Sequence, residues 1–183
     1  STTTQESWEW AGALINYDNA IKQKWRETLS NFILKNSTEQ ERKKMKVLCL
    51  PGVECHEIPM YLKLWFLPEN IIGVEAGIVS GKTDPKLLKR FEENARSYGI
   101  QYRLWKLEKV LHSEQTLFDV VSLDFLGPVS KNSGEIMRLI RQSKKCLFLT
   151  NFQWRREQAG MQATMSRVAG RQSEYGKIHD DFG

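Results

Sequence analysis

The sequence has no long apolar run. A membrane-crossing helix needs about 18 such residues, so no transmembrane helix and no membrane partner are expected. No basic-then-apolar leader of the secretory kind is present, and the opening at Ser1 predicts a processed or excised chain. Cysteines are few and odd in number: three, at 49, 55 and 146. Cys49 and Cys146 sit inside apolar runs, where a thiol serves as a small hydrophobe, so a reducing compartment, the cytoplasm, is expected. Cys55 and His56 invite a nucleophile or metal reading, but adjacent residues point in different directions. The other histidines, His112 and His179, lie far along the chain. No second Cys/His cluster completes a zinc site, so no metal is expected. Internal repeats and low-complexity segments are absent too.

What is present is apolar content of 40% in 183 residues, enough for one domain with an appendage,. The formal charge of +5 and pI near 9.1 suit a nucleic-acid partner without requiring one,. Basic groups gather at 22–26, at 42–46, and at 138–145 with the tail 155–171. Trp25, Trp105 and Trp154 lie near or among them. Cations with aromatics suit single-stranded nucleic acid. Solvated helix faces over buried tryptophans are the competing reading.

Residues 1–6 are polar. From Trp8, apolar residues recur at helical spacing (Leu14, Tyr17, Ile21, Trp25, Leu29, Phe32, Ile33), predicting an amphipathic helix to about Lys35 or a pair broken near Asn16,. A charged connector follows. Strands are predicted at 46–50, 71–75, 100–106, 118–124 and 146–151. Helices are predicted at 56–66, 84–98 and 133–143. Asp84, Pro85 and Gly99 supply the cap, first position and stop of the second of these. Strands alternating with helices mean a parallel sheet, and the unalternating apolar strands mean cover on both faces. The expectation is a doubly wound, Rossmann-like α/β/α sandwich at 45–152. A helical extension at 1–44 precedes it, and a basic helix or tail at 153–183 follows. The helix before the first strand either packs on the sheet or offers a partner surface. The sheet either ends at five strands or is completed by residues beyond this chain.

Ligands of such sheets bind at the carboxyl ends of the strands, where strand order reverses. The first strand runs into Leu50-Pro51-Gly52-Val53-Glu54. The second ends in Glu75, then Ala76. The third leads to Leu107-Glu108, and the fourth ends in Asp124-Phe125-Leu126-Gly127-Pro128. Glu75 lies 23 residues after Gly52, about the interval expected of a ribose-binding acid,. A dinucleotide fingerprint is missing. "SGKT" at 80–83 echoes a phosphate loop but lacks its upstream glycine and does not directly follow a strand.

In order and spacing, 46–52, 71–75, 101–108 and 120–128 resemble class I S-adenosylmethionine-dependent methyltransferases. The resemblance implies S-adenosylmethionine as cofactor, held by Leu50, Pro51, Gly52, Glu54, Glu75, Ala76, Leu107, Glu108, Asp124 and Phe125. It also implies that Asp124 positions the acceptor or takes its proton. Glu54 is alternatively a cap for the helix starting near Cys55. The family's first motif places an acid and alternating glycines where this chain has Cys49, Pro51, Val53 and Cys55. Asp124-Phe125-Leu126-Gly127 keeps the acid of the nucleic-acid amino methyltransferases but lacks their paired prolines.

Three functions follow as expectations. The first is a methyltransferase with a nucleic-acid or protein acceptor. The second is a catalytically inactive methyltransferase-like binding or regulatory module, working with a protein partner or a missing domain. The third is another nucleotide-binding enzyme of Rossmann type.

Overall fold

Apolar strand segments, too short to stand alone, line up side by side. In the computed structural model, which describes residues 20–124, 138–139 and 147–151, β1 (Val47–Cys49), β2 (Ile71–Val74), β5 (Gln101–Arg103), β6 (Val120–Asp124) and β7 (Leu147–Asn151) form one sheet. Its order is β5-β2-β1-β6-β7, and every pairing is parallel. The chain steps outward from β1 to β2 and β5, then returns to the other side of β1 for β6 and β7. This is the expected doubly wound, Rossmann-like α/β fold, and strand order reverses between β1 and β6.

Register sorts the side chains. Val47 stands beside Ile71 and Val120, and Val120 beside Leu147; all four belong to one core cluster. Leu48, Ile72, Val121 and Phe148, one residue on, face the opposite cluster. Helix α1 (Ala20–Asn36), α3 (Ile58–Lys63) and α4 (Pro85–Tyr98) cover the first face through Trp25, Leu29, Ile33, Ile58, Tyr61, Leu87 and Phe91. Helix α5 (Leu107–Ser113) covers the second through Val110 and Leu111, together with Leu139. Helix α1 therefore packs on the sheet, and Trp25 is a core residue rather than part of a basic surface.

Helix α4 forms as its sequence dictates. Asp84 accepts a hydrogen bond from Lys86 N at 2.9 Å, Pro85 opens the helix, and Gly99 closes it at φ 73°. Other elements differ from expectation. The helix expected at 56–66 is confined to α3, because residues 52–57 are spent on turns. The strand expected to reach Lys106 stops at Arg103, and α5 follows where no helix was expected. The charged connector contains α2 (Glu39–Arg42), closed by a reciprocal cap: Glu41 N donates to Thr38 Oγ1 (3.1 Å) and Thr38 N to Glu41 Oε1 (3.0 Å),. "SGKT" forms the turn and second strand of a hairpin, β3 (Ile78–Val79) and β4 (Lys82–Thr83). Ser80 and Gly81 both have positive φ there, as tight two-residue hairpins favour,.

Arg42, counted by sequence in a basic patch, is buried. Its Nε donates to Leu64 O (2.7 Å) and its Nη1 to Ser37 O (2.9 Å), tying α2 to the end of α3. Arg42→Met is expected to lower unfolding free energy by about 2–4 kcal/mol, because both carbonyls lose a charged donor. Urea denaturation measures it. Residues 1–19 and the tail at 153–183 lie outside the described residues. So do Phe125, Gly127, Pro128, Cys146, Trp154 and most of the helix expected at 133–143.

Candidate functional site

The reversal point sits above the Pro51-Gly52 turn. Pro51 folds down over β2 because Gly73 has no side chain; a Cβ there would lie 3.2 Å from Pro51 Cγ and 3.3 Å from Ile100. Gly52 follows at φ 76°, a conformation glycine adopts freely,. A Cβ at Gly52 would meet no atom within 4 Å, so the outer face of the turn is open to a close neighbour. The remainder of the loop is tied down. Cys55 N donates to Gly52 O (3.1 Å), and Asn94 of α4 donates to Val53 O (2.9 Å). Glu54 Oε1 lies 2.5 Å from Arg90 Nε, also of α4. Glu54 is not the cap of α3, which begins after Glu57 and takes no side-chain cap.

Glu75 continues the line of β2, its N donating to Arg103 O at 3.1 Å. Its half-buried side chain stands at the same sheet edge as the Gly52 turn, one strand across. Burial raises its carboxyl above the ordinary range, and a backbone hydrogen bond from Gly77 partly offsets the rise,. Gly77 has φ 64°, and a Cβ there would lie 2.8 Å from Leu88, so the chain has no room for another residue at this bend. Ala76, between them, is half-buried.

Leu50 and Leu107, both expected at the site, pack with Trp105 against the same core cluster. They bring the loop after β5 to the side of the first strand's exit. Glu108 is exposed in the first turn of α5. Trp105 was counted by sequence only among basic groups. Its ring has Lys109 Nζ 4.5 Å and Arg103 Cζ 6.0 Å from its centroid. The backbone of Asp124 closes β6 opposite Asn151 of β7, on the far side of the reversal point. Phe125 lies outside the described residues.

Beneath the turn lies a polar network that sequence reasoning missed. Tyr61 Oη donates to Glu57 Oε1 (2.9 Å), and Ser122 Oγ donates to the same oxygen (2.5 Å). The two hydroxyl oxygens are 2.6 Å apart. All three residues are buried. The network joins α3 to β6 across the strand that feeds Gly52. Burial first, then the neighbouring Glu57, pushes the Tyr61 phenol well up, so it stays protonated as a donor.

Cys49 and Cys55 are free thiols, both buried. Burial pushes the Cys55 thiol up to about 12, with Glu54 and Glu75 adding to the rise, and pushes Cys49 well up likewise. Thiolates are the reactive form. Native protein at pH 8 is therefore expected to leave both residues unalkylated by iodoacetamide over hours, with full labelling in urea. Peptide mapping reads this residue by residue. Among the described residues no group of three or more His, Cys, Asp or Glu is placed to hold a metal ion, and no helix is long and apolar enough to cross a membrane.

Compared with known proteins, the chain matches no protein-family model and no curated protein.

Proposed function

We propose that this chain is an S-adenosylmethionine-dependent methyltransferase acting in the cytoplasm on a nucleic-acid or protein acceptor. The observation that carries the reading is the pairing of an open glycine turn at the strand-order reversal with a half-buried acid at the end of the neighbouring strand,. The cofactor bears no phosphate, so one glycine with close backbone approach serves where a nucleotide would need a nest of amides. When bound, it supplies a methyl group on an electrophilic sulfonium. Gly52 admits its chain against the backbone. The Glu75 carboxylate accepts from ribose hydroxyls. Leu50, Trp105 and Leu107 give an apolar wall for the adenine. Asp124, across the reversal point, holds the acceptor in line or takes its proton; alignment of that kind supplies much of the rate.

A second reading, an inactive module of the same fold, draws on one observation. Where the family has glycines, this chain has Pro51, Val53 and Cys55, all buried, and their side chains fill space that glycines would leave free. Calorimetric titration with S-adenosylmethionine separates the two, with Glu75→Ala alongside. Micromolar binding, weakened at least tenfold by the substitution, is expected of the methyltransferase. No binding by the intact protein sinks that reading and leaves the module.

A further inference from the structure

Helix α3 ends in a way that sets one residue apart. Phe66 N donates to Tyr61 O and Trp65 N to Leu62 O, each at 3.2 Å. The Tyr61 and Phe66 rings meet edge-on, 5.3 Å between centroids. This is a Schellman ending, including its apolar clasp. The residue at its left-handed position is ordinarily glycine. Here it is Trp65, at φ 70° and 57% exposed. Strain and exposure of the largest apolar side chain both work against the fold at this one position. A bulky residue held in that conformation points from an observed strain to a use.

The surroundings say which use. Arg42 Nε reaches Leu64 O and Asn70 Nδ2 reaches Lys43 O (3.5 Å), holding the Trp65 loop against residues 42–46. Lys43 Nζ stands 5.5 Å from the Trp65 ring centroid. Lys44 and Lys46 on the same segment, and Lys63 in the last turn of α3, are exposed. Glu39, which pairs with Lys43 at 3.1 Å, Glu41 and Glu69 temper this charge. The grip must therefore come chiefly from the ring, with lysines as company for phosphates. A protein interface anchored by a tryptophan is depleted in lysine, whereas an exposed aromatic among lysines is the make-up of a base-stacking platform.

We propose that Trp65 and the lysines around it form a stacking site for single-stranded nucleic acid. Residues 43–46 lead into β1 and the Trp65 loop leads into β2. The site is thus at the amino end of the parallel sheet, opposite the Gly52 turn, and it stands independently of any cofactor there.

The test is fluorescence anisotropy of labelled oligothymidylate and oligouridylate of about 12 nucleotides at low salt. It compares intact protein, Trp65→Gly and Trp65→Asn, with melting curves for each. Binding by the intact protein should weaken about tenfold or more in both variants, while Trp65→Gly melts no lower than the parent because glycine relieves the left-handed strain. A residue kept for packing would show the reverse on melting. Absence of binding by the intact protein, or equal binding by the variants, overturns the proposal. So does self-association in sedimentation that the variants abolish, which would make Trp65 a protein contact. Should Trp65→Gly fold poorly, Trp65→Asn, which also tolerates this φ, decides the matter by the same readings.

Discussion

Tyr61→Ala is expected to cost about 3–5 kcal/mol of unfolding free energy, the range for emptying a buried aromatic position. That is a large share of the stability of an ordinary domain. Two losses combine. The ring leaves a void beside Phe66, and the hydroxyl leaves Glu57 and Ser122 with one fewer buried partner. Tyr61→Phe separates them: it keeps the ring and removes only the hydroxyl, and should cost about 1–3 kcal/mol. Ser122→Ala should cost a similar amount. The double variant should fall short of the sum, because Tyr61 and Ser122 share one carboxylate oxygen,. Denaturation in urea with a constant slope provides the comparison. Additive costs would mean that the three groups do not act as one network.

That network also shows where the sequence stops being readable. Glu57 and Ser122 are 65 residues apart and meet only because β6 lies beside β1. No local pattern carries such a contact. What could be read was local or continuous. The apolar runs around Val47, Ile71, Val120 and Leu147 announce strands covered on both faces, and Asp84-Pro85 with Gly99 bracket α4. Some legible signals were outweighed by others. Thr38 followed by Glu41 is a capping box, but the surrounding charges read as a connector. Leu107, Val110 and Leu111 have helical spacing, but Lys106 offers no side-chain cap to mark the start. The Gly52 turn was found from its glycine, whereas Gly73, which lets Pro51 settle, was hidden inside a strand. Trp65 was invisible as a left-handed residue because the sequence signal for that position is glycine. At the candidate site, the places of Gly52 and Glu75 at adjacent strand ends were legible because strand ends can be read from apolar runs. The Arg90 partner of Glu54 comes from a helix far along the chain and could not be.

If the proposed methyltransferase reading holds, Glu75→Gln moves stability and affinity for S-adenosylmethionine in opposite directions. Burial raises the Glu75 carboxyl in the folded chain, while in the unfolded chain it titrates near its ordinary value of about 4.3. A group raised in this way favours the fold while it is protonated. That contribution is complete below the unfolded value and is lost as pH rises through the folded one. Above the raised value the fold therefore carries an ionised carboxylate that it would be better without. Glutamine keeps the shape and the hydrogen bond from Gly77 without the charge. The variant should melt above the parent at pH values above the raised one, and the difference should vanish as pH falls through it toward about 4,. Affinity for S-adenosylmethionine should fall about 10- to 100-fold, since hydrogen bonds to a charged acceptor are worth about 1.5–3 kcal/mol. The parent's own affinity should weaken in acid as the carboxylate takes up its proton, while the variant's stays flat. Melting curves and calorimetry at matched pH values measure both. A variant that melts lower above the raised value and binds equally well would make Glu75 an acid kept for the fold. A more stable protein that has lost its ligand would mean that the acid is held at this sheet edge against the fold's own preference, as the proposed ribose contact requires.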